Sequence, residues 1–326
     1  MQRKFPLVVL LITCLLLPAG CVSKPVPQKP IRIAINVWSG YAVAYLAQEK
    51  GFFKKNNVDV ELVLRESTPE SLALFTDGET DGCFDVFSDI IMLNARGISA
   101  QVVYIVDYSN EGDVIIGRPE IKALSELRGK TVGFEGIDTF SRIFVLNALE
   151  KARVEESDLR FSNVKAHDVL KALDAGDIDA GHTWEPTKSE ALKKGYKILA
   201  KAGDYPGMIT DVLVFNATVL KERPEDVFAI VRSLAEALEY QREHLEEAVT
   251  IMAEKMGMSE QEMASGLAGI YQPGLKEGLA LLTGEDPLFK DTGKKIFDFS
   301  IKRGQVSRFV EIDDMIDPKF VTELVP

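Results

Sequence analysis

The chain has 326 residues, with 38 basic and 50 acidic side chains and a formal net charge of −12. Nucleic-acid binders meet phosphate with basic patches, so an acidic balance of this size argues against that class. Three cysteines, at positions 14, 21 and 83, offer neither a disulfide framework nor a metal-type spacing.

The N-terminus reads as an export signal. Arg3 and Lys4 precede an apolar run from Leu7 to Leu17, shorter than the ~20 residues a spanning helix needs. A positive flank, a short apolar core and a small-residue exit are the parts of a secretory signal. The exit, Leu17-Pro18-Ala19-Gly20-Cys21, resembles a lipobox, the lipidation and cleavage site of bacterial lipoproteins, with Pro18 where leucine is usual. Residues 1–20 are therefore expected to be a lipoprotein signal peptide, and Cys21 the lipidation site, acylated with palmitate-type chains. Residues 21–30 form a proline-rich, semi-rigid tether. Two acyl chains anchor stably, which places the protein outside the cytoplasm on the cell membrane or outer membrane, facing periplasm or exterior. Loss of Arg3 and Lys4 leaves 36 basic against 50 acidic residues, a net −14. Cys83, in an apolar stretch, reads as a buried, inert thiol.

Strands and helices alternate after the tether. Residues 31–37 form a short apolar strand, and 39–50 a helix with Val43, Leu46 and Ala47 on one face and Gly51 as its stop. Residues 58–64 alternate as a strand. Thr68-Pro69-Glu70 supplies a cap, a proline in the first turn and an acidic start for the next helix, which ends at Asp77-Gly78. A similar order returns with a strand at 131–135, a helix at 141–151, a strand at 159–164 and a helix at 167–175. Gly78 and Gly176, and likewise Asp81 and Asp179, stand 98 residues apart. Two similar α/β lobes follow, each with a mainly parallel sheet flanked by helices. The apolar stretches 113–117 and 211–215 read as hinge strands crossing between them. From Pro224 the pattern is helical, with Val227, Ile230, Val231, Leu234 and Leu238 as a buried stripe, interrupted near Gln272-Pro273-Gly274.

Several segments together resemble one family. They are Ala44-Tyr45-Leu46-Ala47-Gln48-Glu49-Lys50-Gly51-Phe52-Phe53, Gly78-Glu79-Thr80-Asp81, Asp107-Tyr108-Ser109-Asn110-Glu111-Gly112-Asp113, Leu127-Arg128-Gly129-Lys130-Thr131-Val132-Gly133 and Trp184-Glu185-Pro186. The chain resembles the ABC-importer solute-binding proteins for nitrate, sulfonates, taurine and thiamine-pyrimidine precursors, with Glu111 where glycine is usual. The resemblance implies a two-lobed type II periplasmic-binding-protein fold, with lobe one at 31–112 plus 213–326 and lobe two at 113–212. It implies a monomer that closes on a small polar solute and delivers it to a membrane permease with its ATPase. A thiamine-pyrimidine synthase-like enzyme and the ligand-binding component of a sensor are the alternatives. The lone Cys83, without a cysteine cluster or a catalytic triad, argues against the enzyme. No cofactor or metal is called for.

Open α/β sheets bind ligands beyond the carboxyl ends of their strands. Candidate contacts in the first lobe are Trp38, Ser39, Gly40 and Tyr41, where a turn offers backbone N–H groups and an aromatic face. Ser88 and Asp89 open the following helix. In the second lobe Glu135, Thr139 and Ser141 lie between a strand and a helix, with Arg142 as a possible charge. His182, Trp184 and Glu185 follow another strand, and Glu111 and Asp211 flank the hinge. So many carboxylates disfavour an isolated anion; a solute with a cationic or donor-rich end fits better.

Overall fold

A computed structural model describes residue 2, residues 29–306 and residues 308–325. The signal peptide, Cys21 and all of the tether before Lys29 lie outside the described residues.

The chain forms eleven described strands: β1 Ile31–Asn36, β2 Val60–Arg65, β3 Gly82–Val86, β4 Ala100–Ser109, β5 Val114–Gly117, β6 Thr131–Phe134, β7 Arg160–Asn163, β8 Ala180–Thr183, β9 Lys197–Lys201, β10 Thr210–Asn216 and β11 Ile270–Tyr271. They make two sheets, ordered β11-β4-β10-β3-β1-β2 and β7-β6-β8-β5-β9. The two-lobed α/β architecture is thus the expected one. Each sheet is mixed: β2-β1-β3 and β7-β6-β8 are parallel, whereas β10, β4 and β11 in one lobe and β5 and β9 in the other pair antiparallel. The strands that follow the crossings, β5 and β10, run opposite to the βαβ units, because the chain enters each sheet from the cleft side. The strands that precede them, β4 and β9, run with the units.

The internal repeat is built from the same contacts in both lobes. Gly78 and Gly176 adopt left-handed φ of 74° and 84°, and so end their helices without a Cβ clash. Asp81 then brackets the start of β1, donating its N–H to the Arg32 carbonyl at 2.8 Å and accepting the Arg32 N–H at 2.8 Å. Asp179 does the same to Thr131 of β6, at 2.8 and 2.9 Å.

The crossing segments are 110–113 and 202–209, so the second return begins before the expected boundary at 213. Thr210 already pairs with Tyr108 in the first sheet. Backbone bonds tie the two crossings together: Ala202 N–H to the Asp113 carbonyl at 3.0 Å and Ser109 N–H to the Ile209 carbonyl at 2.9 Å. The N–H groups of Asn110, Glu111 and Gly112 all point at the Gly269 carbonyl, at 2.8–2.9 Å.

The expected first helix splits into a 3-10 turn, Ser39–Ala42, and an α-helix, Val43–Glu49. Helix Pro224–Glu243 starts with proline and two acidic residues, and its expected stripe is buried. Each fully buried aliphatic side chain there contributes about 1.5–3 kcal/mol. Cys83 is buried and unpaired, and burial pushes its thiol well up.

Candidate functional site

The carboxyl ends of β1, β3, β6 and β8 converge on the cleft, as do Asp107 near the end of β4 and Asp211 near the start of β10. In lobe one, the buried Trp38 indole N–H donates to both oxygens of Asp107, at 3.2 and 3.3 Å. Gly40 permits this seat, since a Cβ there would stand 1.8 Å from Asp107 Oδ2. Tyr41 donates its hydroxyl to Asp211 Oδ1. Asp107 and Asp211 are direct partners across the β4–β10 ladder, where like charges repel. Burial holds both carboxyls above the usual range, and Asp107 is the next cause for Asp211.

Asp85 on β3 and Ser88 and Asp89 on helix Phe87–Ala95 form a second buried group. Asp85 accepts the Val86 N–H at 2.7 Å through Oδ1. Its other oxygen, both oxygens of Asp89 and the Ser88 hydroxyl have no hydrogen-bond partner among the described residues. Burial raises both carboxyls; Asp89 is raised next by Asp85, and each is raised further by Glu135 across the cleft.

Lobe two is wired internally. Thr139, at the cap of helix Phe140–Lys151, donates its hydroxyl to the Glu135 carbonyl. Ser141 Oγ accepts the Glu135 N–H at 3.0 Å and lies 2.7 Å from His182 Nδ1, while His182 Nε2 lies 3.0 Å from Asp113. Trp184 donates its indole N–H across the cleft to the Val37 carbonyl at 3.0 Å, and its ring meets Trp38 edge-on at 6.2 Å. The Glu135 carboxyl, 2 % exposed, is pushed by burial up to about 7, with the Ala166 and Thr68 backbone N–H groups opposing. Its Oε1 has no described partner.

A cavity of about 10 Å³ remains at the centre, lined by Asn36, Trp38, Tyr41, Thr68, Val86, Asp113, Phe140, Trp184, Ile209 and Asp211. That holds about one water, so the lobes stand closed. Cross-lobe ion pairs fasten the rim: Lys165–Glu70 at 2.6 Å, Arg96–Asp138 at 2.9 Å and Arg303–Glu156 at 2.8 Å.

Of the residues expected from sequence, Trp38, Tyr41, Trp184 and Asp211 line the cavity, while Gly40, Ser88, Asp89 and Glu135 are buried without lining it. The others are placed differently. Glu111 is exposed outside the cleft and paired with Lys201 at 2.5 Å, because its backbone is turned onto Gly269. Ser39 faces Gly266 of helix Glu260–Ala268. The hydroxyls of Thr139 and Ser141 and both nitrogens of His182 are engaged within lobe two. Glu185 joins the lobes by accepting from Ser265 at 2.7 Å, and pairs within lobe two with Lys188 at 3.2 Å. Arg142 turns to the Ile137 carbonyl and Glu156. Asn36, Thr68 and Asp113 were missed. Each reads in sequence as a strand end, a cap or a hinge residue, although a polar residue ending the apolar run of β1 was a usable signal.

Among the described residues, no group of three or more His, Cys, Asp or Glu could hold a metal ion, and no helix is long and apolar enough to cross a membrane. Residues 38–248 match the family model described as NMT1/THI5 like. The chain belongs to the NMT1/THI5-like family. It is similar to a Bacillus subtilis (strain 168) protein named for binding aliphatic sulfonates, at 22% identity over 96% of this chain and 95% of that one. Two solved structures share its fold. The ligand-binding component of an ABC-type import system from Staphylococcus aureus aligns with a TM-score of 0.75 and 16% identity, over 91% of this chain and 99% of that one. The periplasmic aliphatic sulphonate binding protein SsuA from Escherichia coli gives 0.70 and 20%, over 90% and 99%. All three are named as binding proteins or ligand-binding components.

Proposed function

We propose that this chain is the extracytoplasmic solute-binding component of an ABC importer, and not an enzyme. A monomer anchored through Cys21 would sample solute beside the membrane, close its lobes over it, and deliver it to a permease with its ATPase. The observation that carries this reading is the cavity itself. It lies at the carboxyl ends of two sheets joined by two short, mutually bonded crossings, with Trp38 and Trp184 meeting over it from opposite lobes. Lobe one is 31–112 with the returning chain, lobe two the stretch between the crossings, and closure is a hinge motion at 110–113 and 202–209. Trp38, Tyr41, Asp89, Glu135, Trp184 and Asp211 are the contacts this reading assigns to the solute.

Uptake tests it. Deleting the protein should abolish import of its solute at low external concentration and spare uptake at high concentration; unchanged uptake at low concentration would refute it. Cys21→Ala should release the protein from membranes with ligand binding intact.

A further inference from the structure

We propose that the solute is a small organic cation, bound through ammonium or amidinium N–H groups to the carboxyls of Asp89, Glu135 and Asp211 and the amide oxygen of Asn36. This deepens, and rests on, the reading of the interlobe cavity as the solute site. It departs from the sulfonates named for the relatives.

Buried polar atoms are nearly always hydrogen-bonded, so each orphan calls for a physical cause. The orphans around this cavity are almost all acceptors: Asn36 Oδ1, Asp85 Oδ2, both Asp89 oxygens, Glu135 Oε1 and Asp211 Oδ2, with the Ser88 hydroxyl able to play either part. Asn36 and Asp211 line the cavity directly. The Asn36 amide nitrogen is already engaged with Thr68 at 3.1 Å, which leaves its oxygen free.

Of the side-chain donors close by, those of Trp38, Tyr41, Trp184 and His182 are committed. Trp38 N–H holds Asp107, Tyr41 holds Asp211 Oδ1, Trp184 N–H holds Val37, and His182 is engaged at both nitrogens. No lysine, arginine or histidine lines the cavity. The nearby cations are paired elsewhere, Lys165 with Glu70, Arg96 with Asp138 and Lys188 with Glu185. A sulfonate brings three acceptors and no donor, so it would add acceptors to acceptors. A cation brings N–H donors and a counter-charge that lets these carboxyls release to solvent the protons that burial holds on them, and charge-assisted bonds are the strong kind. The carboxyls do not converge as ligands of one metal ion, which favours a molecule with spaced N–H groups. The rings of Trp38 and Trp184 offer faces that attract such a charge.

Calorimetry and thermal melts on the mature chain decide it, with guanidinium, ethanolammonium and ethane-1,2-diammonium chlorides set against sodium methanesulfonate and sodium nitrate. Saturable binding of at least one cation is expected. Asp89→Asn and Glu135→Gln should each weaken it at least about tenfold, the loss of one charge-assisted bond. Both variants should melt, ligand-free, no lower than the parent, which shows that they fold. Binding of methanesulfonate or nitrate that E135Q leaves unchanged or tightens overturns the cation and keeps the cleft as the solute site. No binding by any probe, or binding that Trp38→Ala does not alter, overturns the cleft reading and the proposal with it.

Discussion

The two walls of the cleft are made of similar residues and do different things. Both lobes present an aromatic ring, hydroxyls and carboxyls beyond the ends of parallel strands. In lobe two these groups bond to one another: Thr139 to Glu135, Ser141 to His182, His182 to Asp113. In lobe one Asp85, Ser88, Asp89 and Asp211 keep atoms without partners. The same repeat, fixed in both lobes by Asp81 and Asp179 at the far ends of the sheets, thus carries a rigid wall and a wall with unsatisfied acceptors. On the reading proposed above, recognition belongs to the second kind, because atoms the protein leaves unpaired gain most from a ligand's hydrogen bonds. A satisfied wall contributes shape.

Breaking the rigid wall should have the largest effect. His182→Ala removes the link between Ser141 and Asp113 and leaves a buried carboxylate without its partner. A loss of roughly 2–5 kcal/mol, from the carboxyl left unsatisfied and the cavity left behind, is expected in denaturant unfolding, above the ~1 kcal/mol of an ordinary substitution. A loss below that ordinary value would show that lobe two does not depend on the network.

Glu135 is the exception in lobe two, and pH tests it. A carboxyl raised to about 7 keeps a proton in the folded protein that the unfolded chain gives up near ~4.3. Its contribution is therefore fully present below ~4.3 and lost as pH rises through about 7, on the order of 3 kcal/mol across the interval. The groups facing it are the Ala166 and Thr68 N–H groups, Lys165, Glu70 and, from lobe one, Asp85 and Asp89. The ligand-free melting temperature should fall over this window, and Glu135→Gln should flatten the fall. A parent curve already flat between pH 5 and 8 would contradict the raised carboxyl.

The fold was legible in the sequence because periodicity and punctuation are local. Gly78 and Gly176 end helices by backbone conformation alone, and Asp81 and Asp179 sit at one offset, so the duplicated unit shows without knowledge of contacts. Part of the cavity lining was legible for a similar reason: Trp38 and Trp184 stand where strands give out. What stayed hidden was which polar atoms are already satisfied. His182 and Asp89 look equally available on paper, yet His182 is engaged at both nitrogens by residues 41 and 69 positions away, whereas Asp89 has only the Phe140 N–H and the Asp85 carboxyl beside it. Glu111 failed for another reason, since its neighbours' N–H groups fix the backbone on Gly269 and turn the side chain outward.

A smaller effect separates packing from charge in lobe one. Gly40→Ala places a Cβ against the Asp107 carboxyl and the Trp38 indole nitrogen, an overpacking expected to cost about 1–3 kcal/mol. Both groups belong to the recognition wall, so solute affinity should drop along with stability. A drop in stability alone would mean that Trp38 does not meet the solute.

The smallest effect lies at the rim. Arg96 and Asp138 are each nearly half exposed, at 43% and 48%, and such pairs are worth about 0–1 kcal/mol. Arg96→Ala should leave unfolding almost unchanged. It removes a bond made only when the lobes are closed, so the ligand-free protein should open measurably in solution scattering. Salt should mimic the substitution, because the pair is exposed enough to be screened at ~0.15 M. If R96A and parent proteins scatter alike at low salt, closure is held by the buried contacts of Trp184 and Glu185 instead. The contrast between the walls would then extend to closure itself, with lobe two supplying both the shape and the latch.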